Sequence, residues 1–358
     1  MGKRMIDIRN VEITPLMTTI LQEIDEYKSN WNNNIQMLDK RYLTRLKKVS
    51  TIESIGSSNR IEGNSLSDEE IKKLLSGLKK QSFQSRDEQE VAGYAELLDV
   101  IYKNYQVIPL NENYIKQLHK IMLGGVSKDT SHCGNYKTIS NAVAAFDASG
   151  KEIGIIFKTA TPFETPFLME ELLKWITYAQ EQKLLHPLLL IGIFIVHFLA
   201  IHPFQDGNGR LSRALTALLL LRAGYKYVPY YSIESIIEFS KSNYYLALRN
   251  TQKTIWDEKV DYEPWLLFFL MTLQKQKDCL IEKINFLQHR IPLSESSRMV
   301  LDLFENKPKW TVQEIAQTLG KPEISIRKIL QALCKQKCIT KFGKTKACFY
   351  RKTGSMWI

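Results

Sequence analysis

The sequence predicts a mainly α-helical protein with one β-hairpin and a small C-terminal domain of three helices and a second hairpin. Three observations predict it. Apolar residues recur at three- and four-residue steps along most of the chain, as on one face of a helix. The stretch 124–166 breaks that pattern with Gly, Thr, Ser and Asn and two β-prone runs. Two more β-prone pieces, 338–342 and 347–351, surround Gly343-Lys344-Thr345-Lys346 near the end of the chain.

Taken in order, Ile35, Leu38, Tyr42, Leu43 and Leu46 share one helical face. Ser67-Asp68-Glu69-Glu70 has the form of a capping box, and Ile71, Leu74, Leu75 and Leu78 follow at helical spacing. Segments 91–105 and 113–122 repeat the theme. Gly124-Gly125 ends it. The runs 139–146 and 153–159 flank Asp147-Ala148-Ser149-Gly150, a turn signal that predicts a hairpin. Helices resume over 167–182, 187–201 and 211–223, with Gly224 as a stop. Segments 243–251 and 264–287 read as helices too. Ile291-Pro292-Leu293-Ser294 reads as a linker. Beyond it, 296–305, 311–319 and 323–337 read as three short helices. Three helices followed by a basic hairpin form the pattern of a winged helix-turn-helix. The expected domains are 1–105, 106–290 and 291–358.

The chain has 358 residues, 44% apolar and 24% charged, which is ordinary for a folded protein and excludes wholesale disorder. Its net charge is +11, and 291–358 holds 13 Lys or Arg against 5 Asp or Glu, so +8 lies there. Such a basic segment suits an acidic partner such as nucleic acid, or serves as a solubilising surface. Five Cys with no CxxC pair argue against a disulfide framework or zinc finger. Cys334 and Cys338, four apart, are expected on one helix face as small buried hydrophobes. The N-terminus lacks an apolar core run and does not read as a secretory signal. The run 187–201, interrupted by His197, is too short for a bilayer. A cytoplasmic protein without membrane contact is the expectation.

Between the helices 187–201 and 211–223 lies His202-Pro203-Phe204-Gln205-Asp206-Gly207-Asn208-Gly209-Arg210. Glycines allow close approach of the backbone to a ligand. The loop opens into a helix N-terminus, which favours anions such as phosphates. Arg210 and Arg213, three apart, can face that anion. Asp206 is a hard oxygen ligand suited to Mg²⁺ bridging phosphates. His202 can serve as a general base near neutral pH. Together these groups fit phosphoryl or nucleotidyl transfer.

The run HPFQDGNGRLSR resembles the Fic family motif, H-x-F-x-(D/E)-G-N-G-R-x-x-R, with no departures. The resemblance covers about 6–287. It implies a Fic-type helical core with a β-hairpin flap, and AMP transfer from ATP, with Mg²⁺, to Ser, Thr or Tyr hydroxyls of a target protein or of the enzyme itself. By position, His202 would deprotonate the target hydroxyl and Asp206 would hold Mg²⁺. The 207–210 backbone and Asn208 would cradle phosphates, with Gly207, Gly209 and Arg210 at the nucleotide. Arg213 would grip the γ-phosphate, and Phe204 would anchor the loop in the core. The intact Gly207-Asn208-Gly209 speaks against relatives that transfer a phosphate.

Upstream, Ser58 to Gly63 resembles the family's inhibitory helix, (S/T)-x-x-x-E-(G/N). Read alone, Glu62 is a carboxylate at a helix end. The resemblance implies that it pairs with Arg213 and denies that guanidinium to the γ-phosphate; alternatively, Glu62 positions water to remove AMP. The resemblance also places Ile156, Phe157, Lys158 and Thr159 at the ATP site and gives the hairpin the task of holding the target by strand addition. Tyr244 and Tyr245 resemble a family segment near the adenine. Gln252 stands where relatives often have Asn, a departure at the adenine contact.

Other readings stay open at this point. Residues 291–358 suit a DNA-binding regulator, with Ser325, Arg327, Lys328 and Gln331 on the third helix and Lys341, Lys344 and Lys346 on the wing. They equally suit protein binding or formation of a homodimer. The transferred group could also differ, for example UMP or phosphocholine.

Overall fold

The computed structural model describes residues 6–8, 11–36, 40–77, 83, 85–124, 132–146, 152–289, 294–307, 309–335, 338–343 and 348–352, with the side chains of 34, 36, 142–146, 152–158, 287–289, 298, 305, 306 and 352 outside that description. The chain forms two compact units, 1–280 and 281–358.

In the first unit, five helices lead to the hairpin: α1 (Pro15–Gln36), α2 (Lys40–Ile61), α3 (Asp68–Gly77), α4 (Arg86–Asn104) and α5 (Glu112–Leu123). The expected helical face across 35–46 is divided, since α1 ends at Gln36 and α2 begins at Lys40; Leu38 lies outside the described residues. The expected capping box at Ser67 is present, because Ser67 N–H and Oγ both donate to Glu70 Oε2. Leu78, Gly125 and the turn 147–150 lie outside the described residues.

Strands β1 (Ala142–Phe146) and β2 (Glu152–Lys158) pair antiparallel. The register shifts between Val143 and Ala144 and again between Ala145 and Phe146. Ile153 and Ile156 are therefore the extra residues, and such bulges bend and twist a ribbon. Helices α6 (Thr165–Glu181), α7 (Pro187–Ile201), α8 (Asn208–Arg222), α9 (Ile233–Phe239), α10 (Lys241–Gln252) and α11 (Glu263–His289) complete the series. The short α9 was hidden because seven residues give little periodic signal.

Helix α7 is the centre of the unit. Its sequence is apolar all round, and every residue from Leu188 to Ile201 is buried. Gly192 lets α11 approach, since a Cβ there would lie 2.7 Å from Leu266 Cδ2. Trp265 Nε1 donates to Gly192 O at 2.7 Å. His197 on the same helix is fully buried, lies 2.8 Å from the Tyr262 hydroxyl, and is held neutral by burial with a pKa of about 3. It is a core histidine.

The second unit contains α12 (Glu295–Asn306), β3 (Lys309–Trp310), α13 (Val312–Leu319), α14 (Glu323–Lys335), β4 (Ile339–Phe342) and β5 (Phe349–Lys352). Its three strands form an antiparallel sheet in the order β3-β5-β4. Val300, Trp310, Ile315, Ile326, Leu330 and Tyr350 are part of its own core. Helix α14 ends at Lys335, so Cys334 and Cys338 do not share a helix face as expected; both pack against this core from different elements. Lys337, Lys344 and Lys346 lie outside the described residues.

Candidate active site

Helix α7 ends where His202 turns left-handed, with φ 52° and ψ 60°, while its N–H still reaches Phe198 O at 2.9 Å. Few non-glycine residues adopt this conformation, and histidine is among the better tolerated. The ring is half-buried, and Nδ1 sits 3.2 Å from Leu199 O. That carbonyl selects the Nδ1–H tautomer and leaves Nε2 free to accept a proton. Burial holds the pKa at about 4; the Leu199 carbonyl opposes the shift and the Lys137 ammonium adds to it. His202 is therefore a neutral imidazole at pH 7, the form a general base requires.

The chain then drives Phe204 fully into the core, stacked on His119 with ring centroids 3.8 Å apart. His119 Nδ1 accepts from Gly134 N–H at 3.0 Å, so its Nε2–H faces Asp206 O at 3.0 Å. Gly207 is left-handed at φ 79°, and a Cβ on it would lie 2.6 Å from Met122 Cε. Helix α8 starts at Asn208, three residues before the expected start at 211. Gly207 supplies the left-handed cap, and the buried Asn208 amide bridges the Phe204 backbone, accepting from its N–H at 2.9 Å and donating to its O at 2.7 Å. Asn208 was expected to cradle phosphates; its side chain is bonded to the Phe204 backbone and braces the loop.

The early start of α8 leaves the first-turn amides of 208–210 as an anion site. A carboxylate lies beside it. A Cβ on Gly209 would lie 2.1 Å from Glu62 Oε1, so only glycine here lets that oxygen reach the helix. Glu62 comes from the end of α2. There Gly63, at φ 99°, closes the helix with Gly63 N–H to Arg60 O at 3.1 Å and Asn64 N–H to Asn59 O at 3.1 Å, a Schellman ending. Arg60 fixes this end through Glu238 on α9 at 2.7 Å and Asp68 on α3 at 2.9 Å.

Arg213 Nη2 donates to Glu62 Oε1 at 2.8 Å and to Ser58 O at 2.7 Å, while Nε donates to Ser58 Oγ at 2.9 Å. Its side chain is 4% exposed. Burial opposes its charge, but Glu62 together with the Tyr244 and Tyr94 hydroxyls outweighs burial and raises its pKa. Nη1 is buried without a hydrogen-bond partner among the described residues. Arg213 lines a cavity of about 30 Å³ together with Ser54, Tyr102, Glu234 and Tyr244, room for a water. Arg210 does not join Arg213. It turns to Glu90 Oε2 at 2.9 Å and Asp206 Oδ2 at 3.3 Å.

Tyr244 is buried, its ring 5.1 Å from that of Tyr245 and 5.9 Å from Trp265. Burial pushes its hydroxyl up to about 12, so it stays a donor. Gln252 is also buried, one turn beyond Leu248 on α10. Strand β2, bearing Ile156, Phe157 and Lys158, runs alongside α10; those three side chains lie outside the described residues.

Thr159 belongs to a joint that sequence reasoning missed. Lys137, 3% exposed, extends Nζ to Ile201 O, Thr159 Oγ1 and Asn141 Oδ1 at 2.9–3.0 Å. Asn141 Nδ2 donates to Phe204 O at 2.9 Å, and Lys137 N–H donates to Pro203 O at 2.9 Å. Burial lowers the Lys137 pKa to about 8. The base of the hairpin is thus stapled to the segment that carries His202. The only signal for it was a lysine flanked by turn residues, which no spacing rule singles out.

Asp206 is partly exposed, with Oδ1 accepting from Gly207 N–H at 2.6 Å. Among the described residues no group of three or more His, Cys, Asp or Glu could hold a metal. Mg²⁺ is commonly held by one or two carboxylates plus substrate phosphates. Asp206 is the residue that would hold it.

Residues 109–220 match the model of the Fic/DOC family. The chain is 27% identical over 255 residues to protein adenylyltransferase Fic of Drosophila ananassae, covering 70% of this chain and 46% of that protein. It is 26% identical over 264 residues to the protein of that name from Culex quinquefasciatus, covering 72% and 47%. The chain spans about half the length of the curated relatives it matches. A Fic family protein from Desulfovibrio desulfuricans G20 superimposes with a TM-score of 0.66 at 23% identity over 98% of this chain and 99% of that one. A Fic domain containing signaling protein from Bacteroides thetaiotaomicron VPI-5482 gives 0.60 at 27% identity, covering 73% and 96%. Residues 109–220 of this chain are thus a Fic/DOC family region, and the chain is distantly homologous to protein adenylyltransferase Fic.

Proposed function

We propose that this chain transfers AMP from ATP to Ser, Thr or Tyr hydroxyls of a target protein and of itself, and that Glu62 holds it off. One observation carries the reading: the Glu62 carboxylate sits at the N-terminus of α8, against Gly209 and 2.8 Å from Arg213. A carboxylate in that position marks the place as an anion site with a built-in occupant. In the open state, the γ-phosphate takes Arg213 and the first-turn amides receive the remaining phosphates. His202 Nε2 takes the proton of the target hydroxyl. Its oxygen bonds to the α-phosphorus, the bond to the bridging oxygen breaks, and pyrophosphate leaves. Mg²⁺ at Asp206 supplies charge neutralisation for the phosphates. Tyr244, Tyr245, Gln252 and β2 border the adenosine end. A two-stranded hairpin leaves strand edges open, and such an edge can hold a target segment by main-chain bonds. The base-to-flap staple at Lys137 keeps that segment in register with His202.

The test is transfer of label from α-³²P-ATP. The Glu62→Gly protein labels itself well above wild type, and His202→Ala on that background abolishes labelling while the fold persists. Label retained by His202→Ala would sink the base assignment. Equal labelling by wild type and Glu62→Gly would sink the brake. If Glu62 instead positions water, Glu62→Gly fails to strip AMP from a labelled target that wild type clears.

A second reading concerns the C-terminal unit. We read it as a winged helix-turn-helix on its helix and strand order. Arg327, Lys328, Lys341 and Arg351 are exposed on α14, β4 and β5. Double-stranded DNA binding through these cations would weaken steeply with salt in a gel shift. A salt-independent shift, or none, removes this reading.

A further inference from the structure

Asp206 is held by two arginines, and the one the Fic motif does not contain is the informative one. Arg86, the first residue of α4, donates from Nη2 to Asp206 Oδ2 at 3.0 Å and from Nε to Glu90 Oε1 at 2.8 Å. Arg210 reaches the same two carboxylates, Glu90 Oε2 at 2.9 Å and Asp206 Oδ2 at 3.3 Å. The four side chains close a ring of alternating charge, Arg86–Asp206–Arg210–Glu90. Within it the two arginines differ. Arg210 is 3% exposed, whereas Arg86 is 52% exposed and lies at the solvent side of the ring.

Asp206 has little left to offer. Oδ1 accepts from Gly207 N–H, and Oδ2 receives both guanidinium groups. A divalent cation binding this carboxylate must therefore share or evict a positive charge already present. We propose that Arg86 is a protein-borne counter-cation that occupies Asp206 in the resting state, and that the metal accompanying ATP displaces it. The inference rests on Asp206 being the metal-holding residue of the proposed function.

The position of Arg86 ties this contact to the Glu62 end of α2. Its neighbour Asp87 accepts from Ser65 N–H at 2.9 Å and Ser65 Oγ at 2.7 Å, and Asn64 Nδ2 donates to Asp87 O at 3.1 Å. Asn64 and Ser65 directly follow Glu62-Gly63. The carboxylate on Arg213 and the guanidinium on Asp206 thus stand at the two ends of one short hydrogen-bonded joint. Each is a side chain filling the place of a charge that belongs to the substrate complex, Glu62 for a phosphate and Arg86 for a metal.

The test is ATP binding by calorimetry with the full chain on the Glu62→Gly background, in EDTA and in Mg²⁺. Arg86→Ala is expected to tighten binding in Mg²⁺ by about two- to five-fold, the weight of a partly exposed ion pair, and to leave binding in EDTA unchanged. Arg86→Lys gives a smaller gain, since the ammonium keeps the charge but loses the fork to Glu90 and Asp206. On an Asp206→Asn background the Mg²⁺ dependence disappears and Arg86→Ala adds nothing. Weaker binding of Arg86→Ala in both conditions would make Arg86 a phosphate ligand and overturn the proposal, as would unchanged binding in Mg²⁺. Mg²⁺ dependence that survives Asp206→Asn would overturn the metal assignment itself, which separates the two failures.

Discussion

Replacing Glu62 by Gln should make the protein less stable and more responsive to ATP at the same time. The side chain keeps its shape, so no cavity forms, and only the charge facing Arg213 is lost. A hydrogen bond to a charged group contributes about 1.5–3 kcal/mol. Glu62 is about one-third exposed and Arg213 keeps both bonds to Ser58, which lowers the expectation to about 1–2 kcal/mol. At roughly 2–4 °C per kcal/mol for a large domain, the melting temperature of apo protein should fall by about 2–8 °C. Arg213 is then a buried cation short of an anion, and ATP supplies one. Saturating ATP should therefore raise the melting temperature of Glu62→Gln by more than it raises that of wild type, because wild type must first release its own carboxylate. Differential scanning fluorimetry with and without ATP measures both quantities. An apo melting temperature equal to wild type with equal ATP shifts would refute the reasoning, since it would mean that Glu62 and ATP do not compete for Arg213.

Other expectations follow from the same geometry. Because burial lowers the His202 pKa to about 4, the base stays unprotonated through the range 5.5–8; the acid limb of labelling by Glu62→Gly should fall below pH 5, and a limb near 6.5 would contradict the neutral buried imidazole. The same shift has a stability consequence of fixed sign: His202 and His197 bind protons more readily unfolded than folded, so their contribution is complete above about 6.5 and is lost as pH falls toward 4, which urea titrations at several pH values would record. Gly207→Ala puts a Cβ at φ 79° and 2.6 Å from Met122 Cε, and should cost about 1–2 kcal/mol in urea unfolding, mostly backbone strain because the methionine tip can move. Lys137→Met removes a donor from the buried Ile201 carbonyl and from the half-buried Thr159 and Asn141 side-chain oxygens, at about 1–3 kcal/mol. It should lower labelling of a target more than binding of ATP, and an equal loss of both would deny the staple its role at the flap.

Much of the fold was legible because its signals are local. Helix α7 has the expected bounds, since a fifteen-residue run between His186 and His202, apolar but for His197, admits little else. The start of α8 was misplaced because Asn208 and Gly209 are poor helix formers by propensity. What makes them helical is tertiary: the Asn208 amide is clamped by Phe204, and Gly209 is kept small by Glu62. The loop's chemistry was readable from twelve contiguous residues. Its partners were not, because Arg86 lies 120 residues from Asp206 and Ser58 lies 155 from Arg213. Glu62 was reached only through the family resemblance; as a sequence feature it is an acid at a helix end. Lys137 and His119 carried no signal that a spacing rule could use, since their partners are carbonyls, side-chain oxygens and a ring face that only folding brings near.

The division of labour within the site follows from those long-range contacts. The segment 202–213 supplies every group that would touch ATP phosphates, but α2 and α4 decide what those groups touch in the resting protein. On the proposed reading both helices act by the same device, a side chain standing where a substrate group of the same sign of charge would bind. Neither device requires a distorted catalytic loop, and the loop is fully formed, with Phe204 buried and His202 neutral. On that reading release is a matter of two side chains turning aside at one joint around Asn64, Ser65 and Asp87, not of building a site. If so, Ser65→Ala and Asp87→Asn, which weaken the joint without touching Glu62 or Arg86, should raise self-labelling above wild type while remaining below Glu62→Gly. Labelling at the wild-type level in both would show that the two closures act independently.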